Sequence, residues 1–434
     1  MNNKYRFLIS LVSAWCAACG AMAVDRYVSL DGTNDVDGKY TTWAGAATQI
    51  QWAVNFATNG ETVWVSSGTY YLTNQIRITN GIILKSYSDN RADTIINGNC
   101  PHNINRCFNV NHAGAVVDGF TITNGTTKGT NGISQTNYWL WDMEGGGVKL
   151  YAGTLRDCLI TGNRETNPAP YAYPADQGGK GGGVWASGSS SIITNCDIIG
   201  NESRVAGGGL YLYQGVKMWN CNVISNTCTG SYGGGLHVYS ASLGEICSCQ
   251  VIGNQLTGNY GGGISVNGGN PVTIRNILVR KNTAAAGWHQ QFSIQGAYMN
   301  ADNCTVDGNI DQTWHACTVT IQNSIITGSV YVASDSADKY VILNNDCMAS
   351  IPASFQRRYI TATNCITDNP RFLDQASANY RLQKISPCIN TGINKAWMDT
   401  STDLDGLSRI DKFSSRADMG CYEYLPRGIM FKVR

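Results

Sequence analysis

Gly181-Gly182-Gly183-Val184-Trp185-Ala186, followed after a short turn by Cys196-Asp197-Ile198-Ile199-Gly200-Asn201, is a phrase that this chain repeats. Counting from Gly145, the glycine triplets at Gly145, Gly181, Gly207, Gly233 and Gly261 stand 36, 26, 26 and 28 residues apart. The Cys-x4-Asn ending returns at Cys158 to Asn163, Cys221 to Asn226, Cys249 to Asn254 and Cys304 to Asn309, with Ile277 to Asn282 as a copy in which Ile replaces Cys. Self-similarity at such a period marks a solenoid of stacked units.

Each triplet leads into an alternation: Val148-Lys149-Leu150, Val184-Trp185-Ala186, Leu210-Tyr211-Leu212, Leu236-His237-Val238 and Ile264-Ser265-Val266. Period two predicts a half-buried strand, with the apolar residues turned in and the middle residue turned out. Two or three short strands per turn of roughly 22 to 28 residues, with no helical periodicity between them, predict an all-β parallel β-helix. Coils would stack at about 4.8 Å. Equal phases then become ladders, Cys on Cys inside the barrel and Asn on Asn at a corner, where side-chain amides satisfy turn backbone groups.

The triplet and Cys-x4-Asn phrase resembles the repeats of the right-handed parallel β-helices of the pectate lyase-like superfamily. It is also similar to the Gly-Gly-Ala-Ile and Phe-x-x-Asn repeats of chlamydial polymorphic outer-membrane proteins, with Gly here in the third position. The resemblance implies a right-handed coil.

Residues 1-23 read as a signal peptide: Lys4 and Arg6, an apolar run from Phe7 to Ala18, and Ala21-Met22-Ala23 before Val24. A lipoprotein reading at Cys19 lacks the usual upstream Leu. No later stretch is long and apolar enough for a membrane span. Residues 24-62 hold the strand Tyr27 to Leu30 and apolar residues at helical spacing from Ala46 to Phe56, predicting a helix that caps the open solenoid end. The strand ending in Gly68-Thr69-Tyr70 is similar to the first coils of pectate lyase-like proteins. The β-helix is expected over 63-370, with insertions at Gly125 to Glu144 and Arg164 to Lys180.

In 371-424 and just before it stand, in order, Asp368-Asn369-Pro370-Arg371-Phe372, Tyr380-Arg381-Leu382, Ser386-Pro387-Cys388-Ile389-Asn390-Thr391-Gly392, Asp403-Leu404-Asp405-Gly406, Arg409 and Asp418-Met419-Gly420-Cys421-Tyr422-Glu423. This series closely resembles the terminal region of bacterial surface proteins called choice-of-anchor Q domain proteins. That resemblance implies a cell-surface protein, and Cys388 and Cys421, on two of its motif positions, are expected to form a disulfide. Residues 425-434 are a tail, too short for the sorting signal such proteins often carry.

A net charge of +1 with 14% charged residues offers no basic stripe for nucleic acid. Sixteen cysteines, less Cys16 and Cys19, leave fourteen beyond the signal. Export favours disulfides, yet the even phase of Cys158, Cys196, Cys221 and Cys249 predicts buried, stacked free thiols. No cysteine and histidine spacing suits a metal. Calcium at Asp403-x-Asp405-Gly406 has hard oxygen ligands close together, although an Asp-Gly turn needs no ion.

Outward positions also form rows: Lys149, Trp185, Tyr211, His237 and Ser265, and two residues on Tyr151, Ser187, Tyr213, Tyr239 and Asn267. Exposed aromatic faces one coil apart suit sugar rings, so Lys149, Tyr151, Trp185, Tyr211, Tyr213, His237 and Tyr239 are the candidate carbohydrate-binding residues. Alternatively they pack against each other or under the insertions. Pectate lyases of the resembled fold use Asp clusters with calcium and an Arg or Lys base, and hydrolases use Asp pairs. No such cluster recurs at one phase; Asp197, Glu202, Arg204, Asp176 and Lys180 read first as solvated charges. The expected protein is secreted, monomeric and bound to polysaccharide, as a lyase or hydrolase if it is an enzyme. The alternative is a non-catalytic, adhesin-like surface protein.

Overall fold

The computed structural model describes residues 24–127, 143–165, 179–239, 243–285, 289–312, 316–333, 338–354 and 358–425. The period-two segments pair coil on coil, and 31 strands join into one sheet through parallel ladders. Val184, Leu210, Leu236 and Ile264 share one register on a first face. Leu155, Ile193, Met218 and Ile246 do so on a second, and Ile160, Ile198, Val223 and Val251 on a third. All of these are buried. The chain is therefore a parallel β-helix, and each such Leu or Ile contributes about 1.5–3 kcal/mol by leaving water.

The corners explain the repeated phrase. Between the second and third faces the chain passes through the left-handed region at Asp157, Asn195, Asn220, Ser248 and Asn276, with φ between 52° and 54°. Asn and Asp tolerate that region better than other non-glycine residues. The next residue, Cys158, Cys196, Cys221, Cys249 or Ile277, turns inward and is buried. The cysteines are free thiols, as their phase predicts. Cys196 donates to Thr194 O at 3.2 Å and Cys221 to Trp219 O at 3.1 Å.

At the following corner Asn163, Asn201, Asn226, Asn254 and Asn282 form the expected ladder, all at most 1% exposed. The amide nitrogens of Asn163, Asn201, Asn226 and Asn254 each donate to the next coil's Oδ1 and to a carbonyl behind it, as Asn226 does to Asn254 Oδ1 at 3.0 Å and to Ile198 O at 2.9 Å. The ladder does not continue to Asn309, which is exposed. Gln291 ends it instead, its Oε1 accepting from Asn282 Nδ2 at 2.9 Å.

Gly181, Gly182 and Gly183 each meet a different demand. Gly181 has φ +73°, a Cβ on Gly182 would lie 2.3 Å from Glu202 O, and one on Gly183 would lie 3.0 Å from the Asn201 amide carbon. The triplet is thus the inner wall against which the Asn ladder packs.

The N-terminal end is covered by a helix, Ile50–Phe56, that buries Ile50, Ala53 and Val54. It is shorter than the spacing from Ala46 predicted, because Ala47 instead bridges to Val28 as extended chain and Asn34 Oδ1 takes the Thr48 N–H at 2.7 Å. Gln51 reaches from this helix to the strand Ile76–Ile78, accepting from Arg77 N at 2.7 Å and donating to Arg77 O at 3.2 Å.

Residues 371–424 dock on the flank of the helix. Phe372, Tyr380, Leu382, Cys388, Met419 and Cys421 cluster with Leu278, Ile325 and Cys347 of the third face. The left-handed corner residues supply the polar contacts: Asn303 Nδ2 donates to Asp418 O at 2.8 Å, and Asn323 O accepts from Gly420 N at 2.7 Å. The disulfide expected between Cys388 and Cys421 is not formed. Cys388 faces the Cys347 thiol, whereas Cys421 lies on Thr305, which accepts its N–H at 3.1 Å. The signal segment 1-23 and the tail beyond 425 lie outside the described residues.

Candidate functional site

Both outward rows are in register on the first face. Lys149, Trp185, Tyr211, His237 and Ser265 are successive partners, as are Ser187, Tyr213, Tyr239 and Asn267. Tyr151 begins the second row and its ring lies 5.2 Å from that of Trp185. The tyrosines Tyr213 and Tyr239 follow one another at 5.7 Å between ring centroids.

The two rows differ in exposure. The second row reaches solvent, with Tyr151 41% and Tyr239 39% exposed and Tyr213 half-buried. The first row points away from the barrel yet is covered: Lys149, Trp185, Tyr211 and His237 are 3–7% exposed. The expectation of an open first row is corrected by a ladder that precedes the triplets, Glu144, Lys180, Ala206, Tyr232 and Tyr260. The left-handed first glycine of each triplet, with φ between 61° and 79°, turns the chain between this ladder and the first-row strands.

The coverings are specific. Glu144 pairs with Lys149 at 2.8 Å, Lys180 sits 5.2 Å over the Tyr211 ring, and Tyr232 lies 5.4 Å from His237. Tyr232 and Tyr260 stack at 5.5 Å and 17°, and Tyr260 stacks on His289 at 6.0 Å. Lys149 also lies 4.9 Å from Tyr151 and 5.2 Å from Trp185, cation–π contacts that hold the two rows together. The sequence signal for this layer was present, since Glu144, Lys180, Ala206, Tyr232 and Tyr260 all stand immediately before a triplet.

Burial sets the electrostatics. It lowers His237 to about 3, with Lys180 adding to the effect, so this imidazole is neutral at ordinary pH. Burial also raises the Tyr211 phenol. Glu165, beside the second insertion, is pushed up to about 7 by burial against the opposing hydrogen bond from Arg204 N. Sequence reasoning did not single out Glu165. Its position is marked only by following Asn163-Arg164, next to a small separate ladder of Glu202–Ser203, Thr227–Cys228, Gln255–Leu256 and Thr283–Ala284, where the Glu165 N–H reaches Glu202 O at 2.9 Å.

The other charges do not join the row. Asp197 is on the third face, held by Arg91 and by Asn222 Nδ2 at 2.7 Å, and Glu202 pairs with Arg164 at 3.5 Å. Asp176 lies outside the described residues, as do most of both insertions. At the calcium candidate, Asp403 accepts from Asp405, Leu407 and Glu423 N–H groups, each at 2.8 Å, while Asp405 pairs with Arg381. These carboxylates face backbone donors and a guanidinium.

No protein-family model matches the sequence, and no curated protein matches it. Among solved structures, the pectate lyase Pel9A superposes with a TM-score of 0.58 at 13% identity, covering 92% of this chain and 96% of its own. The pectin methylesterase from Aspergillus niger gives 0.31 at 13% identity over 86% and 93%. The catalytic unit of the α-1,3-glucanase from Streptomyces thermodiastaticus gives 0.35 at 12% over 73% and 65%. The likeness to Pel9A is one of fold; the weaker two superpositions carry no argument.

Proposed function

We propose that this chain is a secreted, monomeric β-helix protein that binds polysaccharide along its first face. The observation that carries the reading is the exposed second row, where Tyr151 and Tyr239 keep about two fifths of their surface in water and Tyr213 and Tyr239 repeat at ring spacing. Amphipathic rings held at this repeat suit stacking on successive sugars. The contact residues are then Tyr151, Tyr213 and Tyr239, with Lys149, Trp185, Tyr211 and His237 as the support beneath. The pectate lyase with the same fold supports a polysaccharide ligand as an analogy, because one fold serves many chemistries.

A second reading is a non-catalytic surface protein ending in a choice-of-anchor Q-type region. It is favoured by the stacked covering of the first row, which is a structural use of aromatic side chains.

A glycan array and a depolymerisation screen, with and without calcium, test the choice, using wild type and Tyr151→Ala/Tyr239→Ala. Binding abolished in the double variant supports the tyrosine-row reading, and products with unsaturated ends would add lyase activity. Binding to no glycan sinks that reading and leaves the surface-protein one.

A further inference from the structure

A concave site lies near the N-terminal end of the β-helix, at the edge between the third face, which holds Gly68–Tyr71, and the first face, which holds Ile76–Ile78. A groove of about 470 Å³ runs between the capping helix and the turn joining Gly68–Tyr71 to Ile76–Ile78, within the usual ligand-pocket range of about 300–1,000 Å³. Trp52, Tyr71, Gln51, Asn55, Asn74 and Gln75 line it, and no lining side chain carries a charge.

We propose that this groove binds a neutral saccharide, with Trp52 and Tyr71 as stacking surfaces and the amides as hydroxyl partners. The cap needs Ile50, Ala53 and Val54 to cover the core, and these are buried. Trp52, by contrast, is 37% exposed and Tyr71 65% exposed, so both present aromatic faces that the fold itself does not use. Sugar rings offer apolar C–H faces to such rings and hydroxyls that both donate and accept.

The amide wall is already in place. Gln51 is fixed by Arg77 N and O and donates to Asn55 Oδ1 at 2.8 Å. Arg106 donates to Gln75 Oε1 at 3.3 Å, which leaves the Gln75 amide hydrogens for a ligand acceptor. A site held in this way loses little entropy on binding.

The charge pattern selects the ligand class. A uronate would bring a carboxylate that needs Arg or Lys for a charge-assisted bond, and none lines the groove. The groove lies beside the start of the outward row: Arg77, which follows the lining residue Ile76 but is itself outside the lining, is the register partner of Asn109, and Asn109 of Lys149. Arg77 stands three coils, about 14 Å, before Trp185.

The test uses the full chain labelled with 5-fluorotryptophan, in which the ¹⁹F resonance missing from Trp52→Phe identifies Trp52 among eleven tryptophans. Cellohexaose, mannohexaose, xylohexaose and oligogalacturonate are titrated separately. At least one neutral hexasaccharide is expected to shift the Trp52 resonance, and Tyr71→Ala to weaken that titration about tenfold. Three neutral sugars without a shift, a shift with oligogalacturonate alone, or an unaltered titration in Tyr71→Ala overturns the proposal. Because the readout is Trp52, failure of the first-face site does not alter it.

Discussion

The Oδ1 of Asn226 accepts two hydrogen bonds from Asn201, one from its side-chain amide at 3.0 Å and one from its backbone N–H at 2.9 Å. One oxygen therefore closes both the turn and the ladder. Buried polar groups left without partners cost more than the bonds gain when made.

Asn226→Ala should destabilise the chain by about 3 kcal/mol, because it removes the acceptor shared by the Asn201 backbone and side-chain donors and the amide donor to Ile198 O, leaving Asn254 Oδ1 with only the Asn226 N–H. Asn309→Ala, at the same position of the sequence phrase but exposed, should stay within about 0.5 kcal/mol. Urea unfolding of the two variants gives the comparison. Equal losses would remove the ladder as the reason for the repeated Asn.

Gly182→Ala should cost about 3 kcal/mol, since its Cβ would meet Glu202 O at 2.3 Å and Gly208 O at 2.5 Å, both backbone atoms that cannot step aside. Gly406→Ala has φ +81° but open space around it, so only the conformational cost of about 1 kcal/mol applies. Thermal melts would show the ranking, and a reversed order contradicts the wall assigned to the triplet.

Thiol labelling should separate the cysteines by position. Cys100 is exposed and should react in the folded protein, while Cys158, Cys196, Cys221 and Cys249 should react only on unfolding. Burial raises the thiols of Cys158, Cys196 and Cys221 and so withholds the thiolate. Non-reducing peptide mapping should recover Cys388 and Cys421 as separate free thiols; a linked peptide would contradict the observed packing.

Glu165 should make stability fall with rising pH. Burial raises its carboxyl from 4.5 to about 7, so the folded state holds the proton more tightly than the unfolded chain. Its contribution is fully present below pH 4.5 and is lost as pH climbs through 7, by about 3 kcal/mol in all. Glu165→Gln should flatten this part of the curve. Urea midpoints for both proteins at pH 5 and pH 8 measure it, and parallel slopes would refute the assignment.

Much of this molecule is written locally. The alternation Val184-Trp185-Ala186, the inward Cys196 and the ladder residue Asn201 recur at fixed phase, and stacking one coil on the next turns phase directly into position. The sequence alone therefore determined the strands, the core rows, the free thiols and which side chains leave the barrel on the first face. Tertiary structure decided what covers them. Whether Trp185 and Tyr211 meet water depends on Lys180, Ala206 and Tyr232 folding back over the strand, which no period within the strand reports. It also decided that Gln291 rather than Asn309 ends the amide ladder, and that Cys388 meets Cys347 rather than Cys421. The last two outcomes rest on contacts between segments whose spacing follows no repeat, where burial and available partners, rather than phase, select the neighbour.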